Sequence, residues 1–309
     1  MAGETLPLVS ILIPAYNHER FVMRCLDSVL EDPYPAKELV VIDDGSIDGT
    51  AGKIAGWVAR YEGELPVTFL RRENRGVVAT LNELAALARG DFLRLGASDD
   101  FLLPGGTELL VRYLLAHPRK SAAIGDSVVV DRYGNRLHGS GMRELHGADK
   151  RLYATDDGVR RAVIAQWAIG GPVALLRRNL PVQIGGWTEG LRIDDWDFFL
   201  RLVARDALGF VDAPVCAYRL HDANQSKTRH AATRIANLME SQRVAESRVA
   251  LFDGPDRLLL KAQAHYIGAK VAFLRRRPLR LALHLLAYAA LRGMSTARNL
   301  SPHPVARQA

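Results

Sequence analysis

The chain has 309 residues, 48% hydrophobic and 24% charged. This is the balance of an ordinary globular protein with a sizeable core, and the length predicts about two structural units. Its two cysteines, Cys25 and Cys216, lie far apart in sequence, which excludes a disulfide framework and a cysteine-based metal site and favours a reducing, cytoplasmic environment. No secretory signal and no apolar run of spanning length is found. The net charge of +7 suits anionic partners, or serves solubility alone.

About the first 115 residues alternate strand-like and helix-like patterns, which predicts an α/β fold with a mostly parallel sheet. The strand at 8–13 is expected to end at Pro14, and Asp43-Asp44-Gly45-Ser46 is expected to form a turn after the second strand. The predicted strands are 8–13, 39–42, 67–70 and 92–95, and the predicted helices are 19–30, 50–61, 77–88 and 104–117.

The later part of the chain is less regular. A strand at 122–130 is followed by hairpin-turn residues at 131–136, and the polar, glycine-rich stretch 138–160 predicts a long loop. A strand at 173–176, a helix at 195–208 and a strand at 209–218 follow. From about residue 228 the chain is expected to be mostly helical.

Two polar clusters follow the first two predicted strands, at the sheet edge where open α/β proteins bind ligands. Pro14-Ala15-Tyr16-Asn17 offers an aromatic ring and an amide that could contact a nucleobase, or it forms a helix-entry turn capped by Asn17. The carboxylates of Asp43 and Asp44 could accept hydrogen bonds from a base or ribose, or belong to a turn that caps the next helix.

Two further clusters lie later in the chain. Ser98-Asp99-Asp100 could hold a divalent cation through oxygen ligands while leaving positions for phosphate, or it forms a capped turn. The segment 193–197 supplies a candidate general base and His221 a candidate metal ligand. The alternatives are that Asp194 and Asp195 complement a helix dipole and that His221 is a surface histidine.

Taken together, the clusters resemble family 2 glycosyltransferases of the GT-A fold in order and spacing, over about residues 8–227. The resemblance implies a GT-A catalytic domain at 1–227, with a nucleotide-sugar-binding half at 1–120 and an acceptor-binding half at 121–227, and a helical extension at 228–309. The matching segments are VSILIPAYNHERFVMRCLDSVL, ELVVIDDGSIDGT, NRGVVATLNELAALARGDFLRLGASDD, GGWTEGLRIDDWDFFLRL and APVCAYRLHDANQS.

The resemblance assigns the donor site to residues of the first half. Pro14 to Asn17 would border the nucleotide, with Tyr16 near the base, and Asp44 would contact the base ring. Arg75 would approach the base or diphosphate, and Gly76 would permit close backbone approach. The implied donor is a nucleoside diphosphate sugar.

The family's metal motif is usually Asp-any-Asp, and Ala97 occupies its first acidic position here. We therefore expect Asp99 and Asp100 to share the ribose and metal contacts, with His221 reaching the metal or diphosphate. The implied cofactor is a divalent ion, Mn²⁺ or Mg²⁺.

The family's general base is the second acid of a Glu-Asp pair, which matches Asp195, with Asp197 as the alternative. The implied reaction is a single displacement with inversion, in which Asp195 removes the proton of the acceptor hydroxyl. The acceptor would be a saccharide or a lipid-linked saccharide, and no nucleic-acid partner is expected. Trp187 and Trp196 would stack on a sugar face or belong to the core.

The C-terminal stretch 258–291 carries long apolar faces interrupted by arginines. One interpretation is a basic amphipathic element that contacts an anionic membrane peripherally, and the other is a helical pair packed on the catalytic domain.

Two rival functions are considered. The first is a nucleotidyltransferase, whose glycine-rich basic motif is not found near the N-terminus. The second is a non-catalytic nucleotide-sugar-binding protein, and its only support is Ala97 at the first acidic position of the metal motif.

Overall fold

The computed structural model describes residues 6–300 except 62, 169, 193, 223 and 225–229, and describes 298–300 by backbone only. The predicted boundary at 227 and 228 and the end of the chain after 300 lie outside the described residues. The strands are β1 (Val9–Ala15), β2 (Lys37–Asp44), β3 (Val67–Arg72), β4 (Phe92–Leu95), β5 (Phe101–Leu102), β6 (Ala122–Val130), β7 (Arg136–His138), β8 (Ala174–Arg177) and β9 (Leu208–Arg219).

Ten α-helices are found within the described residues. They are α1 (Val22–Glu31), α2 (Thr50–Arg60), α3 (Val77–Leu87), α4 (Gly106–Ala116), α5 (Asp156–Ala165), α6 (Leu180–Ile184), α7 (Asp194–Val203), α8 (Ala231–Arg248), α9 (Gly254–Leu274) and α10 (Pro278–Leu300). Short helical turns occupy Gly141–Leu145, Lys150–Ala154, Gly171–Val173 and Val249–Leu251.

The nine strands form one mixed sheet in the order β3-β2-β1-β4-β8-β6-β9-β5, with β7 paired to β6. The neighbours from β3 to β4 are parallel, β8 is antiparallel to both β4 and β6, and β6 is parallel to β9. The carboxyl ends of β1, β2, β4 and β9 therefore lie at one edge, where β8 begins. We call this the carboxyl edge.

The core forms around β1 and β2. Val9, Ile11, Leu12 and Ile13 of β1 are fully buried, as expected for a parallel strand covered on both faces. Helix α3 packs against both β1 and β2. These contacts confirm the α/β architecture predicted for about the first 115 residues.

The prediction that Pro14 ends the first strand is wrong. Pro14 and Ala15 pair in register with Ile42 and Asp43 of β2. Because β4 ends at Leu95, opposite Leu12, Pro14 has a partner strand on one side only, where a missing N–H is tolerated. The predicted turn at 43–46 also begins later than expected, because Asp43 and Asp44 are the last residues of β2 and pair with Arg71 and Arg72 of β3.

The prediction of a long loop at 138–160 is also wrong. This stretch contains two helical turns and the beginning of α5. The buried carboxylate of Asp126 accepts hydrogen bonds from Ser140 Oγ at 2.5 Å, Met142 N at 3.0 Å and Lys150 Nζ at 2.9 Å. A polar sequence is ordered here because its donors share one buried acceptor.

The C-terminal region is helical, as predicted. Helix α9 packs against α8, α5 and α10, whereas the main contact of α10 is with α9. None of the described helices combines the length and apolar character that crossing a membrane requires.

Candidate active site

A carboxylate and two imidazoles meet at the carboxyl edge. Asp99 Oδ2 lies 3.0 Å from His221 Nε2 and 3.8 Å from His18 Nε2, and one ligand-type atom from each residue lies within 4.8 Å of the others. His18 follows β1, Asp99 follows β4 and His221 follows β9. We call these three residues the metal triad, because three strands bring together atoms that could ligate one divalent cation.

The pKa shifts of Asp99 and His18 suit metal ligands. Burial alone would raise the pKa of Asp99, but the hydrogen bond with His221 and the nearby His18 hold it below its usual value. Burial lowers the pKa of His18, and the charge of Asp99 opposes this effect only in part. An ionised carboxylate and a neutral imidazole are the forms that bind a metal ion.

Sequence analysis missed His18. Its position is fixed by the turn after β1, in which Asn17 adopts a left-handed backbone with φ of 54° that asparagine tolerates better than most residues. The amide oxygen of Asn17 accepts from Ile47 N at 2.9 Å, and His18 N donates to Thr50 Oγ1 at 2.8 Å. The only signal in the sequence was that His18 directly follows the Pro14–Asn17 cluster.

Asp100 has a different environment from Asp99. Its carboxylate accepts from the backbone N–H of Arg219 at 2.8 Å, and the Arg219 guanidinium donates to the carbonyl oxygen of Asp99 at 2.8 Å. Burial, reinforced by the charge of Asp99, raises the pKa of Asp100. Asp100 does not belong to the metal triad, so its place in a metal shell stays a prediction.

Asp44 holds the loop after β3. Its buried carboxylate accepts from Arg75 N at 2.9 Å and Gly76 N at 2.8 Å, and pairs with the guanidinium of Arg72. The loop needs glycine at two points, because Gly76 has φ of 86° and Gly45, with φ of 76°, approaches Asn74 too closely for a side chain. The carboxylate thus fixes the shape of the predicted nucleotide loop.

The other predicted donor-side residues lie in this loop or at the end of β1. The side chains of Tyr16 and Arg75 are exposed, and the Arg75 guanidinium lies 3.5 Å from Glu83. Pro14 and Ala15 lie at the end of β1, beside Ile42 and Asp43. One carboxylate oxygen of Asp43 is buried without a hydrogen-bond partner among the described residues.

Asp195 lies in the first turn of α7, and its carboxylate accepts from the backbone N–H of Gly171 at 3.2 Å. Burial raises the pKa of Asp195 to about 6, although the Gly171 hydrogen bond opposes the shift. Burial and the charge of Asp195 also raise the pKa of Asp194. A carboxylate with a pKa near 6 can accept a proton at neutral pH.

Asp195 lies at the carboxyl edge because its hydrogen-bond donor, Gly171, belongs to the turn Gly171–Val173. This turn leads into β8. Fully buried Arg94 of β4 donates to the carbonyl oxygens of Pro172 at 2.6 Å, Ala174 at 3.1 Å and Val215 at 3.1 Å. This guanidinium ties the beginning of β8 to β4 and β9. The backbone that contacts Asp195 is therefore anchored to two strands that carry the metal triad.

Three other candidates have structural partners. Asp197 is buried and pairs with Arg201 and Arg248 at 2.9 and 2.6 Å. Trp187 is buried and stacks on Phe198 with ring centroids 4.5 Å apart, and buried Trp196 donates to the carbonyl of Val163 at 2.8 Å. Both tryptophans therefore belong to the core, which was one of the two interpretations of the sequence.

Sequence comparison identifies relatives along most of the chain. The model of "Glycosyl transferase family 2" matches residues 10–169, which is more than half of the chain. An uncharacterized protein of Mycobacterium tuberculosis (strain CDC 1551 / Oshkosh) is 35% identical over 251 residues, which cover 77% of this chain and 74% of the relative. Asp195 and His221 lie beyond the segment that the family model matches.

Solved structures show the same fold. A mannosyltransferase from Pyrobaculum calidifontis in complex with GDP-Man and Mn²⁺ aligns with a TM-score of 0.63 and 21% identity, over 97% of this chain and 78% of that chain. S. aureus TarS residues 1–349 in complex with UDP-GlcNAc align with a TM-score of 0.58 and 17% identity, over 94% and 92%. The predicted GT-A-like architecture with a helical C-terminal region is confirmed. The chain belongs to glycosyl transferase family 2 and is a glycosyltransferase.

Proposed function

We propose that the protein transfers a sugar from a nucleoside diphosphate sugar to an acceptor hydroxyl, with inversion, and that Asp195 is the general base. The observation that carries this proposal is the environment of Asp195. Its carboxylate has a raised pKa of about 6 and, among the residues that the structure describes, a single hydrogen bond, from Gly171. It thus retains acceptor capacity for a substrate proton.

The donor site is proposed at the loops after β1, β2 and β3. The side chain of Tyr16 is exposed beside the turn that Asn17 fixes, which leaves its ring available to pack on a base. Asp44 orders the loop of Arg75 and Gly76, and the Arg75 guanidinium is exposed for a diphosphate. Two structural neighbours are complexes with GDP-Man and with UDP-GlcNAc, which supports a nucleoside diphosphate sugar as donor without fixing its base.

A divalent cation is proposed at the metal triad of Asp99, His18 and His221. One carboxylate oxygen and two imidazole nitrogens within 4.8 Å of one another suit Mn²⁺ better than Mg²⁺, which prefers an all-oxygen shell. When bound, the cation would offset the charge that develops on the leaving diphosphate. Asp100 supports this site through Arg219, whose guanidinium holds the Asp99 carbonyl.

The acceptor is proposed to be a saccharide or a lipid-linked saccharide that approaches the beginning of α7. An acceptor hydroxyl there would give its proton to Asp195 as its oxygen attacks the anomeric carbon, and a base of this kind contributes about 10²- to 10⁴-fold in rate.

The buried free thiols of Cys25 and Cys216 support a reducing, cytoplasmic location.

The test begins with the donor. The full chain is screened by thermal shift against uridine, guanosine, adenosine and thymidine diphosphate sugars, with Mn²⁺, with Mg²⁺ and without metal, because a ligand that binds the folded state raises its apparent stability. We expect one donor class to stabilise the fold more with Mn²⁺ than with Mg²⁺. No stabilisation by any donor would contradict the proposed donor site.

The second step uses the selected donor. Release of nucleoside diphosphate is measured for the wild type, for Asp195→Asn and for Glu189→Gln, which removes an exposed carboxylate near α7. We expect Asp195→Asn to keep donor binding and lose turnover, and Glu189→Gln to behave as the wild type. Donor binding with no turnover in the wild type, across a panel of saccharide acceptors and water, would instead support the non-catalytic alternative.

A further inference from the structure

An exposed apolar stripe runs along α10. Leu279, Leu283 and Leu286 have relative exposures of 82%, 67% and 68%, and Ala290 and Met294 are also exposed. These five residues are spaced by four, three, four and four positions, which places them on one face of a helix. We call them the α10 stripe, and at 1.5 Å per residue it is about 22 Å long.

The opposite face of α10 packs on α9. The ring of His284 lies against Gly268 and its Nδ1 is 3.1 Å from that of His265. Tyr288 packs on Tyr266 with ring centroids 5.3 Å apart, and Ser295 Oγ donates to the carbonyl of Pro255 at 2.8 Å. Since α10 already has a packed face, the α10 stripe points away from the rest of the protein.

The turn between α9 and α10 is strongly basic. Arg275, Arg276, Arg277 and Arg280 are all exposed and form what we call the arginine cluster. None of them has an ion pair with a carboxylate in the part of the chain that the structure describes. Beyond Asp256 the sequence contains ten lysines and arginines and no aspartate or glutamate.

Apolar and basic side chains lie together at the turn between α9 and α10. Phe273, next to the arginine cluster, has a relative exposure of 68%. Arg276 adopts φ of 55°, a left-handed conformation that follows many helices and that normally favours glycine. An arginine at this position keeps a positive charge where the backbone alone would favour glycine.

We propose that the α10 stripe and the arginine cluster dock on a bilayer that contains anionic lipids, with α10 lying flat in the interface. Apolar side chains on one helix face next to unpaired cations are the combination that binds such a surface, since either signal alone gives only weak binding. A second copy of the chain fits less well, because the same surface offers no carboxylate to pair with the arginines.

This docking goes beyond the proposed transfer reaction and does not depend on it. Docking would hold the catalytic domain at the membrane surface, where the headgroup of a lipid-linked acceptor is found. Binding to vesicles requires neither donor nor turnover, so it can be measured even if the proposed general base is wrong. A failure of one proposal is therefore distinguishable from a failure of the other.

The test is flotation of the full chain with vesicles of phosphatidylcholine alone or with about 30% phosphatidylglycerol. We expect binding to the anionic vesicles, weak binding to the neutral ones, and loss of binding at high salt. The double variant Leu283→Ser/Leu286→Ser removes the centre of the α10 stripe, and Val182→Ser, at an exposed valine of α6, is its matched control. The stripe variant is expected to lose binding and the control to keep it.

A second pair of variants tests the contribution of the arginine cluster. Arg276→Gly removes a cation at a position whose backbone conformation suits glycine. Arg292→Ser, on the opposite side of α10, is its control. Arg276→Gly is expected to weaken binding about fivefold without loss of thermal stability. Equal binding by the wild type and the stripe variant would overturn the proposal. So would a wild type that fails to bind anionic vesicles, or one that is a dimer by light scattering and becomes monomeric when the stripe is changed.

Discussion

Asp44 and Asp195 are the same residue type at the same edge of the sheet, but their environments differ. Asp44 accepts two backbone N–H groups and pairs with Arg72, so its acceptor capacity is largely used by the protein. Within the described part of the chain, the Asp195 carboxylate has one hydrogen bond, from Gly171 at 3.2 Å, and its pKa is raised by burial to about 6. The comparison indicates that Asp44 mainly shapes a loop, whereas Asp195 is left available for chemistry.

The largest effect is expected for Asp195→Asn. Turnover should fall about 10²- to 10⁴-fold with little change in donor affinity, because an amide cannot take up the acceptor proton. The raised pKa means that ionised Asp195 destabilises the fold, a penalty that appears as the pH rises from about 4 to about 6. The variant should therefore be at least as stable as the wild type at pH 7.5 in urea unfolding, and a clear loss of stability would assign Asp195 a structural role.

Asp44→Asn should show the opposite behaviour. Removing the charge leaves Glu83 as the one carboxylate, among the described residues, that pairs with the largely buried guanidinium of Arg72, and breaking a buried ion pair costs about 3 kcal/mol or more. We expect a lower free energy of unfolding and a weaker affinity for the donor, measured by urea unfolding and donor titration. Glu73→Gln, a nearby exposed carboxylate, is the control, and unchanged stability in Asp44→Asn would show that the loop does not depend on this carboxylate.

A smaller effect is expected for His18→Ala. Losing one nitrogen from the metal triad should lower the affinity for Mn²⁺ by at least about 10-fold, since changing a group that only orients a ligand already costs that much, and turnover should recover at high Mn²⁺ concentration. Calorimetric titration with Mn²⁺ measures the affinity directly. His138→Ala, at a partly exposed histidine of β7, is the control, and equal Mn²⁺ affinity in both variants would remove His18 from the site.

The smallest effect concerns the α9–α10 pair. Burial, together with His265, lowers the pKa of His284, so the contribution of this histidine to stability is present above pH 6.5 and is lost as the pH falls below it. Hydrogen exchange of the α10 amides should therefore be faster at pH 5.5 than at pH 7.5 after correction for intrinsic rates, by less than about tenfold. His284→Gln should abolish the difference.

Most strands and helices of the first 115 or so residues were predictable because apolar periodicity and turn residues are local signals, although the two-residue strand β5 was not predicted. Strand 92–95 and the start of the second helix at Thr50 agree with the structure. Stretch 138–160 was not predictable, because the buried Asp126 that orders its first half lies outside it in sequence. Helix α5 depends on distant packing, including the pair of Arg160 with Asp256 at 2.6 Å.

The candidate site was predictable in part. The sequence pointed to Asp99 and His221, which lie 3.0 Å apart, because both follow strands that end at the same edge. His18 was missed because a single histidine after a turn carries no spacing signal. The resemblance assigned the general base to Asp195 with Asp197 as the alternative, whereas the ion pairs of Asp197 with Arg201 and Arg248 are visible only in the tertiary structure.

The most direct test of the account is the pH dependence of turnover at saturating donor, Mn²⁺ and acceptor. If Asp195 takes the acceptor proton, the rate should rise with pH, reach half its maximum near pH 6 and then stay level. The residual activity of Asp195→Asn should lose this step. A wild-type profile that is level from pH 5 to pH 8, or the same step retained in Asp195→Asn, would contradict the assignment of Asp195 as the general base.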